Sequence, residues 1–377
     1  MRISYLDNSA TTKVSQKAAD FAYKMMTQYY GNPSSLHSMG IEAEKHIEDA
    51  RECIAESMSV NSKNIYFTSG STETNNTVLF GVADKLKRSG NRIIVSAVEH
   101  PSVYESAIEL RRRGYDVIFA PVDKNGVVIL DELEKAVTDD TVLVSIMYVN
   151  NETGAIQPID QISKIVKSKS SAYIHCDCVQ AYGKLPLKPK KWNVDFVSVS
   201  AHKVHGPKGV GALYISDNAK LTPLLYGGEQ QKKIRPGTEA APLIAGFFGA
   251  VSEFDINGNL EYIKELNSYA VEKLSNIDGV TFNAGIDALP YIINISVDGI
   301  KSETMLHYLE TQNVFVSSSS ACAKGKKSYV LKAMGVADSI IDCALRISFS
   351  KYNTKEDIDA LTHGICDGLK TLARIKR

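Results

Sequence analysis

Short apolar runs alternate with longer stretches of helical periodicity through the first two thirds of the chain. The apolar runs are rich in β-branched residues, and we place predicted strands at Asn64–Thr68, Arg92–Ser96, Asp116–Ala120, Thr141–Tyr148, Ala172–Cys176, Phe196–Ser200 and Gly211–Ile215. The intervening stretches predict helices at Glu73–Lys87, Val103–Arg113, Leu130–Val137 and Ile159–Lys167. Strands that alternate with helices are typical of an α/β fold, here with a mainly parallel sheet of seven strands.

The pattern changes after about Asn257, where longer helices and shorter, scattered strands begin. The predicted helices are Leu260–Asn276, Glu303–Gln312 and Lys355–Ala373, and the predicted strands are Thr281–Asn283, Ile292–Ser296, Val314–Ser317 and Arg346–Ser350. This mixture indicates a smaller α+β domain. We therefore expect a large domain over residues 15–257 and a small domain formed by residues 1–14 and 258–377.

Composition narrows the class of protein. Of 377 residues, 44% are hydrophobic and 23% are charged, as in ordinary globular proteins. Lys+Arg and Asp+Glu both total 43, which argues against a broad surface for nucleic acid or membrane. The six cysteines show no paired spacing and no signal peptide is evident, so we expect a cytoplasmic protein with free thiols.

Polar side chains follow the predicted strands of the large domain at one end. They stand at Ser69–Thr72, Glu99–His100, Asn150–Glu152, Asp177–Gln180 and Ser200–Lys203. In open α/β sheets, ligands bind outside the carboxyl ends of the strands. The sequence therefore predicts one ligand site at that edge of the sheet.

Lys203 is the most informative of these residues, because a lysine at the end of a buried strand must be paired or chemically used. The aldehyde cofactor pyridoxal 5'-phosphate (PLP) uses a lysine in this way, as a Schiff base. A PLP site also needs an anion site, an acid for the pyridine nitrogen and a group that stacks on the ring.

An anion site that includes Ser71 and Thr72 is predicted where the stretch Phe67–Glu73 leaves a strand and enters a helix. Free backbone N–H groups, small hydroxyls and the helix dipole favour a phosphate there, although an ordinary helix-capping turn fits equally well. No nucleoside-triphosphate loop pattern is present. Ser200 and His202 are interpreted as further phosphate partners.

Asp177 can face a pyridine nitrogen and keep it protonated, and Gln180 can donate to the ring hydroxylate. His100 can stack on the ring and move protons, or it is simply a polar loop residue. A metal site from His175, Cys176 and Cys178 is the rival interpretation. Alternate residues of a strand point to opposite faces, so these side chains do not converge on one ion, and we predict no metal.

Two residues outside the large domain complete the candidate chemistry. Arg346 lies in an apolar run and can capture a carboxylate. An interdomain salt bridge is the alternative, and the evidence from Arg346 alone favours the salt bridge. Cys322 stands in a small, polar loop close to three lysines, which favour its thiolate. An exposed, unused cysteine is the alternative.

Taken in order, these residues resemble the cysteine desulfurases, the NifS/IscS-like branch of the class-V (fold-type-I) PLP-dependent aminotransferase family. The resemblance runs nearly end to end, and it is carried by LDNSATT, GNPSSLHSMG, FTSGSTETNN, VEHPSV, VNNETGAIQPI, HCDCVQ, SAHKVHGPKGVG, RPGTE, the serine-rich stretch before Cys322, and LRIS.

The resemblance implies catalytic roles for Lys203, Cys322 and His100. It implies that PLP is held by Ser71, Thr72, His100, Asp177, Gln180, Ser200, His202, Lys203 and Thr238, with Thr238 reaching the neighbouring subunit of a homodimer. Asn151 and Arg346 would hold the carboxylate of L-cysteine. Cys322 would take up its sulfur as a persulfide, release alanine, and pass the sulfur to an iron–sulfur scaffold or a tRNA-thiolation enzyme.

Other functions stay open on the sequence alone. An aminotransferase, a selenocysteine lyase or a sulfinate-releasing lyase shares the same fold, and dependence on Cys322 separates these from a desulfurase. A catalytically idle PLP-bound partner protein would have no use for Lys203, Asp177, His100 and Cys322. A cysteine-dependent acyl transferase is a more distant alternative, because no histidine is adjacent to Cys322 in the sequence.

Overall fold

The computed structural model describes residues 2–285, 287–318 and 327–373. Its strands are β1 Ser4–Tyr5, β2 Ile65–Thr68, β3 Arg92–Ser96, β4 Asp116–Ala120, β5 Thr141–Ser145, β6 Tyr173–Asp177, β7 Phe196–Ser200, β8 Gly211–Ile215, β9 Val280–Phe282, β10 Ile292–Val297, β11 Val314–Phe315, β12 Ser317–Ser318 and β13 Ala344–Ser348. Its helices are α1 Gln16–Thr27, α2 Ser38–Ser57, α3 Ser71–Lys85, α4 Pro101–Arg112, α5 Leu130–Ala136, α6 Ile159–Lys169, α7 Ala241–Val251, α8 Ile256–Ser275, α9 Ser302–Thr311, α10 Tyr329–Ala333, α11 Asp338–Ile341 and α12 Lys355–Thr371.

The main sheet has seven strands in the order β2-β8-β7-β6-β5-β3-β4. Only β8 runs against its neighbours, so the sheet is mainly parallel, and the predicted α/β fold class is confirmed. Along β3, Ile93 and Val95 pack with α3 and α4, whereas Ile94 belongs to the larger core on the other face. The strands are apolar on both faces because helices cover both.

The C-terminal region builds a separate antiparallel sheet in the order β12-β13-β10-β9. The stretch predicted as one strand, Val314–Ser317, is instead two short strands in different sheets. β11 pairs in parallel with β1, and β12 pairs with β13. The N-terminal segment thus lies against the C-terminal region. The predicted domain boundary at residue 257 falls in the first turn of α8 and stays a prediction.

Among the helices within the described residues, none has both the length and the apolar composition of a membrane span.

Gly211 lets β8 lie close to the loop that enters α3. A Cβ at this position would stand 2.8 Å from the Gly70 Cα and 2.7 Å from the Val199 carbonyl oxygen. Overpacking against backbone cannot be relieved by a side-chain rotation, so Gly211→Ala should lower the free energy of unfolding by about 2–3 kcal/mol. Urea denaturation measures this loss.

Gly114→Ala is the matched control for that substitution. Its Cβ would meet open space, but its φ of +94° is unfavourable for alanine, so we expect a loss of only about 1 kcal/mol. A Gly211 variant as stable as the Gly114 variant would contradict the assigned close approach.

Candidate functional site

The loops that leave the carboxyl ends of the parallel strands meet along one edge of the main sheet. β3 leads to His100 at the start of α4, β6 ends at Asp177, and β7 leads into the short turn that carries Lys203. These side chains interact electrostatically, since Asp177, Lys203 and Arg346 all influence the pKa of His100. The structure brings these side chains near one another, and their use as one ligand site stays a prediction.

Lys203 is half-buried, and two backbone carbonyl groups fix the position of its amine. Nζ donates to the carbonyl oxygens of Ser9 at 2.6 Å and Ala10 at 2.8 Å. The Ser9 oxygen also accepts from Gln180 Nε2 at 2.9 Å. The N-terminal segment thus lies across the site and joins two of the predicted site residues.

Asp177 is buried, and both of its carboxylate oxygens accept hydrogen bonds. Oδ2 accepts from Asn75 Nδ2 at 2.8 Å, and Oδ1 accepts from the Val179 amide at 3.0 Å. Asn75 also donates to Ser102 Oγ at 2.8 Å, which ties Asp177 to the first turn of α4. The carboxylate is therefore held in a fixed place at the end of β6.

His100 caps α4, with its Nδ1 2.8 Å from Ser102 Oγ. Burial lowers the pKa of His100, and the positive charges of Lys203 and Arg346 add to this effect against the opposing charge of Asp177. The imidazole is therefore neutral at pH 7. His202 is similar, because burial lowers its pKa to about 4 and Nδ1 lies 3.3 Å from Thr11 Oγ1.

The N-terminus of α3 is open to an anion. Gly70, with φ of +145°, is the N-cap and provides no side-chain hydrogen bond to the first turn. Ser71 and Thr72 are the first residues of the helix, so their amides have no partner within it. Ser200 ends β7 and is buried. Glu73 Oε2 in the first turn accepts from the Ser69 amide at 2.8 Å, so this helix end has features of both a capping turn and an anion site.

Arg346 is buried in the middle of β13 and pairs with Asp7. Nη2 lies 2.9 Å from Asp7 Oδ1, and Nη1 donates to the Asn151 carbonyl at 3.1 Å. Its Nε has no hydrogen-bond partner among the described residues. Arg346 therefore forms a salt bridge, the alternative considered for it, and its buried Nε is still available to donate to a ligand.

Two buried carboxyl groups, those of Glu99 and Glu152, lie beside these residues, and the sequence did not predict them as site residues. Burial raises the pKa of Glu99 to about 8, although Oε1 accepts from the Met147 amide at 2.8 Å. Burial also raises the pKa of Glu152 to about 7, where Ser328 Oγ donates to Oε2 at 2.5 Å. Both positions were noted only as polar strand ends. Their burial depends on the packing of distant segments.

Cys176 and Cys178 lie in the core with their sulfur atoms 3.4 Å apart. His175 points to the other face and is held between the hydroxyls of Ser145, at 2.8 Å, and Ser198, at 2.9 Å. Burial lowers the pKa of His175 to about 3. In the described part of the chain, no group of three His, Cys, Asp or Glu side chains could hold a metal ion.

Two predicted site residues are not placed with the others. Thr238 is exposed, between Gly237 and α7, so its predicted contact with a neighbouring subunit stays a prediction. Cys322 lies outside the described residues. Asn151 is brought to the site, where its backbone meets Arg346.

Comparisons with known proteins agree on one family. The model of a family described as aminotransferase class-V matches residues 4–361. Cysteine desulfurase IscS of Methanosarcina thermophila is 39% identical over 94% of this chain and 89% of that protein. Cysteine desulfurase IscS of Dictyoglomus turgidum is 38% identical over 99% of this chain and 97% of its own. A solved structure of a NifS-like protein superimposes with a TM-score of 0.94 at 39% identity, covering 99% of this chain and all of that one.

Proposed function

The chain belongs to the class-V aminotransferase family and to its cysteine desulfurase branch, and from this premise we propose that it is a PLP-dependent enzyme that converts L-cysteine to L-alanine and takes the sulfur onto Cys322. The observation that carries the proposal is that Lys203, His100 and Asp177 stand at the carboxyl ends of strands in one sheet, with Arg346 of β13 close enough for its charge to act on His100. A carboxylate, an amine, a neutral imidazole and a guanidinium are the groups that this chemistry requires.

The described residues fit PLP. Asp177, buried and fixed by two donors, would face the pyridine nitrogen. The first turn of α3, which receives no side-chain hydrogen bond from its N-cap residue, supports phosphate binding by Ser71 and Thr72, with Ser200 and His202 as further partners. Lys203 would hold the aldehyde carbon, while His100 and Gln180 would contact the ring. When bound, PLP withdraws electrons from the substrate and thereby weakens its Cβ–S bond.

Arg346 and Asn151 would bind the substrate carboxylate. The Arg346 Nε is buried without a partner, and an unpaired buried donor carries a desolvation cost that an arriving carboxylate would offset. Asp7, which already accepts from Nη2, orients the guanidinium. A bidentate contact to the carboxylate would place the substrate amine toward Lys203.

Protons would be handled by two groups. His100 is neutral at pH 7, because burial lowers its pKa, so it can accept a proton. Lys203 Nζ, held by two carbonyl oxygens, would move the α-proton of the substrate once it is free of the cofactor. Glu99 is protonated at this pH, since burial raises its pKa to about 8, and it adds no negative charge beside His100.

In the sulfur step, Cys322 Sγ would form a bond to the substrate sulfur as the Cβ–S bond breaks. The electron pair of the broken bond remains on the substrate carbon, which takes up a proton to give alanine. The product is a persulfide on Cys322, and thiol exchange would carry its sulfur to an acceptor. A reducing compartment such as the cytoplasm suits this thiol.

The partners are the finer part of the proposal. We expect a homodimer in which Thr238, exposed in this chain, reaches the PLP phosphate of the neighbouring subunit. An iron–sulfur scaffold and a tRNA-thiolation enzyme are both candidate sulfur acceptors. No direct contact with nucleic acid or membrane is proposed.

The test is turnover of L-cysteine by the PLP-loaded protein in the presence of a reductant. A desulfurase gives alanine and sulfide in equal amounts. Pyruvate in place of alanine would indicate a different elimination, and amino-group transfer to a keto acid would indicate an aminotransferase. A yellow protein that releases neither product from L-cysteine or L-selenocysteine would overturn the proposal in favour of a non-catalytic partner protein.

A further inference from the structure

Lys184 is a buried lysine to which the mechanism above gives no role. It follows Gly183 after β6, and only 6% of the residue is exposed. Among the described residues it forms no salt bridge. Nζ instead donates to Gln180 Oε1 at 3.1 Å and lies 5.6 Å from the centre of the Tyr291 ring. A buried charge without a carboxylate is costly, so its presence calls for a physical reason.

Lys184 determines which way the Gln180 amide points. The protonated form of Lys184 can only donate, so it favours the amide oxygen toward Nζ. On the other side, the Ser9 carbonyl can only accept, so Nε2 must face it, at 2.9 Å. Both neighbours therefore select the same orientation. It presents the amide N–H group on the side of Lys203, which donates to the same Ser9 oxygen at 2.6 Å.

Lys184 and Lys203 also share a pocket. Burial lowers the pKa of Lys184 to about 7, and the positive charges of Lys203 and Arg346 contribute. Two like charges in a poorly solvated place oppose each other's protonation. Among the described residues, the other titratable or charged groups that line this pocket or interact with Lys184 or Lys203 are Asp7, His100, His202, His205, Glu253, Tyr291 and Lys351.

We propose that Lys184 is a positioning residue, which holds the Gln180 amide in one orientation and whose positive charge opposes protonation of the nitrogen of Lys203. This inference rests on the proposed function, because Lys203 is taken as the residue that binds PLP. A Lys203 nitrogen that is unprotonated near neutral pH can take up the proton of the incoming amino acid's ammonium group. The substrate amine is then free to react, which is the use the site would make of the charge.

The first test is the pH midpoint of the visible absorption of the PLP-loaded protein. Lys184→Met keeps the length of the side chain and removes the charge, so protonation at Lys203 becomes easier. We expect the midpoint to rise by about one pH unit, a tenfold change in proton affinity. Lys188→Met removes the same charge at an exposed position nearby, and it should leave the midpoint unchanged.

Lys184→Arg keeps the charge at all pH values, so its midpoint should stay at or below that of the wild type. This variant also keeps the proposal testable if the methionine variant does not fold. A Lys184→Met midpoint equal to that of the wild type, or a Lys184→Arg midpoint above it, would overturn the inference. If instead the wild-type protein shows no visible absorption with PLP, the proposed function itself has failed.

The second test addresses the orientation of Gln180 through the dissociation constant of PLP. If Lys184 acts on the ring through Gln180, then Lys184→Met should weaken PLP binding much less in a Gln180→Ala background than in the wild type. The effects of the two substitutions would be non-additive, as expected for residues in contact. Additive effects would show that Lys184 does not orient Gln180.

Discussion

Replacing Lys203 with alanine should lower the rate of alanine formation from L-cysteine about 10³-fold or more. The substitution removes both the covalent anchor for PLP and the group that moves the α-proton, and each role is worth a large factor. The visible absorption that depends on a lysine bound to PLP should also disappear. A steady-state assay of alanine, with spectra of the same samples, measures both effects.

Lys208→Ala is the matched control, because Lys208 is an exposed lysine on the turn that follows Lys203. It should keep the absorption and most of the turnover. A Lys203→Ala protein that turns over L-cysteine within tenfold of the wild type would show that another residue carries the cofactor.

Cys322→Ser should lower the rates of alanine and sulfide formation together, by a factor of about 10² or more. The visible absorption should stay as in the wild type. A serine hydroxyl is a far weaker nucleophile toward sulfur than a thiolate, whereas PLP binding does not involve this side chain. The matched control is Cys366→Ser, a half-buried cysteine in α12 that the mechanism does not use.

The outcome for Cys322 separates the related enzymes from one another. An aminotransferase does not need this thiol, and a lyase that acts on selenocysteine can do without it. Alanine formation that survives in Cys322→Ser would therefore remove the persulfide from the account and favour a lyase mechanism.

Much of the large sheet could be predicted from apolar runs alone. Arg92–Ser96, Asp116–Ala120 and Phe196–Ser200 have the predicted bounds, because buried parallel strands are short and apolar. The antiparallel strand Gly211–Ile215 also has its predicted bounds. α3 begins at Ser71, two residues before the predicted start, because Gly70 caps it. The helices α1 and α2 were not predicted.

The C-terminal region was harder to predict. The stretch 314–317 is one apolar run in sequence, but its two halves pair with different partners, β1 and β13. Pairing depends on contacts between residues more than 300 positions apart in the chain, such as Ser4 with Val314. Local pattern carries no information on such a choice.

The candidate site residues could be predicted from the residue types at strand ends, whereas the residues that hold them in place could not. Lys203, Asp177 and His100 could be picked out because a lysine, a carboxylate and an imidazole stand at the carboxyl ends of β7, β6 and β3. Asn75, which holds Asp177, and Asp7, which pairs with Arg346, are far from these partners in the sequence, and no local pattern links the members of each pair. Their roles come from tertiary packing.

The central claim is that sulfur leaves L-cysteine and arrives on Cys322. The most direct test is mass spectrometry of the PLP-loaded protein after incubation with L-cysteine and without reductant, with the peptide that contains Cys322 analysed for an added sulfur. We predict one extra sulfur atom on Cys322, removable by a thiol reductant and not found without L-cysteine. Alanine formation with no added sulfur on Cys322, or with the sulfur on another cysteine, would contradict the account.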